Sequence, residues 1–333
     1  MRLSTSKAML YPAIEPHAQG LLDVGQGHQV YWEECGNPEG LPVVFLHGGP
    51  GGGCSDYSRR FFNPAVYRVV LFDHRGCGRS VPHGHTQDNF THHLVADMER
   101  LRKLLSIDRW VLCGGSWGCT LALAYAQQHA ARVRGIVMRG VFAARTSEMN
   151  WLYQPGGASQ VFAKEWDRFA SALEAGQRTD PSTDQPRDLL LAYDAQLQSA
   201  DPMAQAQAAA AWCTWEDSLC SVHSAAPSLP DPTRALAMAR ISAHMFAHDP
   251  ALNQAQCWGL GDGKPLPFLA DIAGIIVQGQ FDMVTPAVTA WQLHQAWLGS
   301  QLRMVHTAGH SSSDPALQEA LVKALDDMAS LAR

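Results

Sequence analysis

The sequence predicts an α/β protein: a mostly parallel sheet with helices on both faces, interrupted by one inserted helical segment. Three observations predict it. Short, continuously apolar runs alternate with amphipathic ones through the first part of the chain, as they do when parallel strands are buried on both faces and joined by helices. Strand signals stop over roughly residues 144–263, where aromatic and Ala/Gln-rich helical stretches take over. Apolar, strand-like residues resume near Gly274. The expected organisation is therefore a core in two parts, 1–143 and 264–333, with a helical cap at 144–263.

Residues 28–32 and 43–46 read as the first strands, 67–72 as a third, 110–113 as a fourth and 135–138 as a fifth. Residues 91–105 place Leu94, Val95, Met98, Leu101, Leu104 and Leu105 at helical spacing. Residues 116–130 form the next helix. Within the insertion, 159–175, 187–198 and 201–215 read as helices, with a proline-rich loop at 179–186. The alanine run at 204–211 fits a packed helix, because alanine is the best helix former. Strands at 274–278 and 302–306 then flank a helix at 287–297. Residues 315–331 read as a closing amphipathic helix.

Bulk properties narrow the function. The 333 residues are 46% hydrophobic and 17% charged, an ordinary globular composition. A net charge of −6 calls for no nucleic-acid partner. Eight cysteines lie at 35, 54, 77, 113, 119, 213, 220 and 257, with no C-x-x-C pair, which argues against a zinc ribbon or thioredoxin motif. Reduced core cysteines of a cytoplasmic protein are the expectation. Residues 1–16 lack the apolar core of a secretory signal. No run reaches the length that spans a bilayer, so no membrane partner is expected.

Gly114-Gly115-Ser116-Trp117-Gly118 follows a predicted strand and opens a predicted helix. G-x-S-x-G in that setting is a nucleophile elbow, the hallmark of the α/β-hydrolase fold. A serine hydroxyl is a weak nucleophile and needs a base, which needs a third group to orient it. In this fold the order is Ser, then Asp/Glu, then His, each just after a strand. Asp282, in Gly279-Gln280-Phe281-Asp282, and His310, in Ala308-Gly309-His310-Ser311, meet both conditions. His83, His85, His92 and His93 precede the serine, His129 and His294 sit in predicted helices, and His306 belongs to its strand. The oxyanion hole needs two backbone N–H groups. Trp117 supplies one. Gly49 of His47-Gly48-Gly49-Pro50-Gly51-Gly52-Gly53 is the expected second, with Gly48 the alternative. No stretch reads G-x-G-x-x-G, and Gly261-Asp262-Gly263-Lys264-Pro265 lacks the rest of a P-loop.

Three stretches carry a resemblance: His47 to Gly53, Asp73-His74-Arg75-Gly76-Cys77-Gly78-Arg79-Ser80, and Gly114 to Leu121. Arg139-Gly140-Val141-Phe142, Trp151-Leu152-Tyr153-Gln154 and Trp215-Glu216 extend it. Over nearly its whole length the chain resembles the proline iminopeptidases. That resemblance implies an aminopeptidase releasing N-terminal proline from peptides, without metal or other cofactor, under a helical cap. It implies Glu216 as an anchor for the substrate's free imino group, and Phe142 and Tyr153 as ring contacts. The family's late cap usually reads A-R-I-E-x-H-Y-F, and its glutamate is a second anchor. Here the stretch is Ala239-Arg240-Ile241-Ser242-Ala243-His244-Met245-Phe246. With Ser242 in place of that glutamate, one charge-assisted hydrogen bond is lost, on the order of 1.5–3 kcal/mol. Asp217 or Asp249 would have to compensate. The alternatives are an esterase or amidase acting on a small ester or amide of different acyl group and, from another class, a non-catalytic binding protein of the same fold.

Overall fold

Eight strands form one sheet among the described residues: β1 (Ala18–Gly25), β2 (His28–Gly36), β3 (Leu41–Leu46), β4 (Tyr67–Phe72), β5 (Trp110–Gly115), β6 (Val133–Arg139), β7 (Ala273–Gly279) and β8 (Ser300–Val305). Their spatial order is β1-β2-β4-β3-β5-β6-β7-β8. β2 runs antiparallel to both its neighbours, and every pairing from β4 through β8 is parallel. The computed structural model describes residues 10–173, 188–220, 231–253, 258, 260 and 264–332. The proline-rich stretch at 179–186, Cys257 and Gly261 to Gly263 lie outside them.

The central strands are apolar because both faces are covered. Val44, Leu46, Val70, Phe72, Leu112, Ile136 and Ile276 point into one core, shared with the helices Thr91–Leu104, Trp117–His129 and Ala287–Ala296. Their strand neighbours Val43, Val69, Leu71, Val111, Val137, Ile275 and Val277 point into the other, against the helix Pro315–Leu331. This is the period-2 alternation of a pleated strand with no wet face.

β1 is absent from the sequence reading. Its residues alternate between partly buried and exposed and include glycines at 20 and 25, so it lacks the apolar run that marks the central strands. Helix bounds also shift. The predicted helix at 201–215 is Pro202–Cys220, because Trp212, Trp215 and Leu219 continue one buried face past the expected end. The helices at 159–175 and 187–198 are shorter in the described residues, Ala163–Ser171 and Leu189–Leu197.

Between β6 and β7 the described elements are all helical: Thr146–Tyr153, Ala163–Ser171, Leu189–Leu197, Pro202–Cys220, Pro232–His248 and short turns. Stacked aromatics hold this insertion together. Phe169 lies on Tyr193 at 4.4 Å between ring centroids, and Tyr153 lies on Trp212 at 4.7 Å, contacts worth about 0.5–1.5 kcal/mol each beyond area burial. No described helix is long and apolar enough to cross a membrane.

Candidate active site

Ser116 stands between β5 and the helix Trp117–His129 with φ 56° and ψ −125°. A non-glycine residue there costs on the order of 1–3 kcal/mol. Two backbone bonds hold the turn: Ser116 N–H donates to the Arg139 carbonyl at 2.9 Å, and the Ser116 carbonyl accepts from Cys119 N–H at 2.9 Å. The flanking glycine explains the motif's spacing, since a Cβ on Gly118 would run into the Leu46 carbonyl.

Asp282 follows β7 and His310 follows β8. His310 Nδ1 lies 2.8 Å from Asp282 Oδ2, with both residues buried. The carboxylate also accepts from the Val284 N–H, the Thr285 N–H and hydroxyl, and Gln278 Nε2. Burial pushes the Asp282 carboxyl up, but His310 and the Thr285 donors outweigh it and hold it below the usual carboxylate range. Arg139 Nη1 donates to the His310 carbonyl at 2.9 Å and lies 3.2 Å from His310 Nε2. A guanidinium can only donate. The network therefore assigns the imidazole proton to Nδ1, facing Asp282, and makes Nε2 the acceptor, with Arg139 Nη1 on its lone-pair side.

Ser116 and His310 share a cavity of about 340 Å³ with Gly48, Gly49 and Arg139 from the sheet side and Glu216 and Asp217 from the insertion. Phe142, Leu152, Tyr153, Met238 and Phe246 supply apolar walls. Gly48 and Gly49 both border it, and a Cβ on Gly48 would lie 3.2 Å from the Ser116 Cβ. The Trp117 side chain turns inward, packed edge-on against His74 at 5.7 Å, while its backbone begins the elbow helix.

Glu216 is unusual within this cavity. Burial pushes its carboxyl up to about 7, although the Tyr153 hydroxyl, donating to Oε1 at 2.6 Å, pulls the other way. Burial and the adjacent Glu216 keep the Tyr153 phenol protonated far above its ordinary range. Phe142 meets Phe246 edge-on at 5.8 Å.

Ser242, expected as a substrate-binding hydroxyl at the position of the second anchor, faces elsewhere. Its side chain is fully buried, its hydroxyl donates to the Pro50 carbonyl at 2.7 Å, and it does not line the cavity. Met238 and Phe246, one turn to either side on the same helix, reach the cavity. The shorter serine reaches only the glycine-rich loop beneath it. Asp249 is likewise placed elsewhere. Its Oδ2 accepts from the Thr91 N–H at 2.7 Å and hydroxyl at 2.6 Å. Of the two acids named as compensators, Asp217 is the one that lines the cavity.

Several site residues escape the sequence reading. Arg139 belongs to a motif there but has no role in it; its signal is a charge at the end of an otherwise apolar strand. Gln278 is a polar residue near the end of the otherwise apolar β7, and it bridges Asp282, the Thr285 carbonyl and the Val141 N–H. Gly140, at φ 58°, lets the acid–base pair approach: a Cβ there would lie 2.9 Å from His310 Cε1. The Cys220 carbonyl accepts the N–H groups of His310 and Ser311 at 3.0 and 2.9 Å, a backbone contact with no sequence signature.

Known proteins resemble this chain in sequence and in fold. A family model described as the alpha/beta hydrolase fold matches residues 42–316. A proline iminopeptidase of Xanthomonas citri is 45% identical over 96% of this chain and 99% of its own length. One from Neisseria gonorrhoeae is 42% identical over 96% and 98%. Among solved structures, a proline iminopeptidase-related protein of Thermus thermophilus superposes with a TM-score of 0.57 at 22% identity, covering 94% of this chain and 99% of its own. An esterase of Exiguobacterium antarcticum gives 0.55 at 19%, covering 91% and 96%. These two distant structures speak for the fold alone. On an almost full-length match to curated relatives above 40% identity, the chain belongs to the proline iminopeptidase family of α/β-hydrolase-fold proteins.

Proposed function

We propose that this protein is a serine aminopeptidase that releases N-terminal proline, or a similar small residue, from peptides. Ser116 Oγ attacks the carbonyl following the N-terminal residue. His310 Nε2 accepts the serine proton and passes it to the leaving amine, and Asp282 holds the imidazole and stabilises its charged form. The amides of Trp117 and of Gly49 or Gly48 receive the developing oxyanion. Water then attacks the acyl-enzyme by the same proton route in reverse. Residues 144–263 act as the cap, and residues 1–143 and 264–333 act as the hydrolase core.

The observation that carries this reading is Glu216, a carboxyl group lining the same cavity as Ser116 and His310. Its high pKa suits an amine partner: a neutral imino group entering the cavity takes the Glu216 proton onto its nitrogen and leaves a charge-assisted ammonium–carboxylate pair. Phe142 and Tyr153 offer flat apolar surface for a pyrrolidine ring. The names of the relatives point the same way. A cytoplasmic setting is supported by the seven described cysteines, all unpaired.

Ser116→Ala should reduce hydrolysis of a prolyl anilide to near background, and rapid turnover by that variant would refute the assignment. A panel of prolyl, alanyl and N-blocked anilides with short p-nitrophenyl esters tests the substrate. Strong turnover of blocked or simple acyl compounds, with none of the prolyl anilide, would instead establish an esterase or amidase. That second reading draws on Ser242, which takes no part in the cavity. Covalent labelling of Ser116 by a fluorophosphonate separates both readings from a non-catalytic binding protein.

A further inference from the structure

Outside the catalytic cavity, the helix Pro232–His248 presents His244 and His248 one turn apart, where it packs against the helix Leu189–Leu197. Residues four apart share a helix face. Asp194, from the facing helix, lies between them: its Oδ2 is 2.8 Å from His248 Nε2, and its Oδ1 is 3.8 Å from His244 Nδ1. The three ligating atoms all fall within 4.8 Å of one another. Asp194 is buried, and among the described residues its ion-pair partners are these two imidazoles.

We propose that Asp194, His244 and His248 bind one divalent transition-metal ion of the zinc class. Two imidazole nitrogens and a carboxylate suit zinc, cobalt, nickel or copper, whereas magnesium and calcium demand oxygen ligands. Ligand bonds of about 2.0–2.2 Å place neighbouring tetrahedral ligands about 3.3–3.6 Å apart, and the imidazole nitrogens lie 2.8 and 3.8 Å from the two different oxygens of Asp194. His248 is exposed at the last position of its helix, so a rotamer change brings its nitrogen into range and leaves a fourth position open to water.

The surroundings already orient the ligands. Phe90 stacks on the His244 ring at 5.3 Å and 16°. Gln198 Nε2 reaches Asp194 Oδ1 at 3.5 Å, and Arg240 is occupied by Gln198 Oε1 at 2.9 Å. Asp249 adds negative potential near His244. Such outer partners set ligand geometry in metal sites. The bound ion joins two helices of the insertion. Because Met238 and Phe246 of the same helix line the catalytic cavity, it steadies that wall without touching the reacting atoms.

The test uses the full chain stripped of metal with a chelator, then titrated with zinc chloride against a chromogenic competitor. One tight equivalent per chain is expected, with a rise in Tm on the order of 5 °C at saturating zinc. In His248→Ala and Asp194→Asn that equivalent should weaken at least tenfold and the Tm rise should vanish. His306→Ala should behave as the unaltered chain. His248 is exposed, so its loss leaves the fold intact, which the circular dichroism spectrum checks. Equal zinc affinity and equal Tm shift in His248→Ala and the unaltered chain would overturn the proposal, as would no binding by the unaltered chain.

Discussion

At Glu216, burial moves the carboxyl from its ordinary 4.5 to about 7, so near neutral pH the side chain is divided between acid and carboxylate. The sign of the consequence follows from linkage. The folded chain holds this proton more tightly than the unfolded chain, so stability falls as pH rises from about 4.5 to about 7, and the full cost is present above that. Glu216→Gln should therefore raise Tm at pH 8 relative to the unaltered chain, with little change at pH 4.5. The same variant should raise KM for a prolyl anilide roughly tenfold to 150-fold, the equivalent of about 1.5–3 kcal/mol for a charged hydrogen bond. A thermal melt series across pH, run beside steady-state kinetics, reads both effects. Lower Tm at pH 8 in the variant would count against the buried carboxylate. Gly140 makes a second residue-scale case. A Cβ there meets the imidazole of His310 and demands a positive φ. Gly140→Ala should displace the base and lower kcat on the order of 10²-fold, with KM changing less.

Among the elements, the helix Thr91–Leu104 anchors the loop that carries Asp73 to Ser80. Arg75 makes a two-point contact with Asp97 of that helix at 2.6 and 2.8 Å and also donates to the Val24 and Asp88 carbonyls. Neither side chain of the pair is exposed. Burial raises the Asp97 pKa even against the pull of Arg75, so the carboxylate depends on its partner. Removing Arg75 leaves the buried carboxylate with Arg100 alone, at 3.0 Å and half exposed. Arg75→Ala should destabilise the protein by about 3–5 kcal/mol in urea unfolding. A loss below about 1 kcal/mol would show that Arg100 and water together satisfy Asp97 when the Arg75 guanidinium is gone.

For the whole molecule, the insertion grips three of the loops that carry site residues. The Cys220 carbonyl holds the His310 and Ser311 amides, and Trp151 Nε1 donates to the Met283 carbonyl next to Asp282. Ser242 and Arg234 bond the glycine-rich loop at the Pro50 and Gly52 carbonyls. Displacing the insertion would therefore disturb the base, the acid and the oxyanion loop together. Hydrogen exchange at the His310 and Ser311 amides should keep pace with the last turn of the helix Pro202–Cys220. Independent, faster exchange at those two amides would show that the histidine loop is held by the sheet alone.

The sequence by itself determined the fold class, the central strands, and Ser116, Asp282 and His310 as candidates in their order along the chain. It could do so because buried parallel strands write themselves as apolar runs and chemistry gathers where such runs end. Local pattern also marked Glu216 through its family motif. The edge strand β1 left little trace, since a half-exposed strand needs no apolar run. Only the tertiary structure decided that Arg139 lies against His310, that Asp217 reaches the cavity while Asp249 binds Thr91, and that Ser242 turns to Pro50. Those outcomes depend on which distant backbone lies within a side chain's reach. Helix packing sets that reach, and no short-range spacing encodes it.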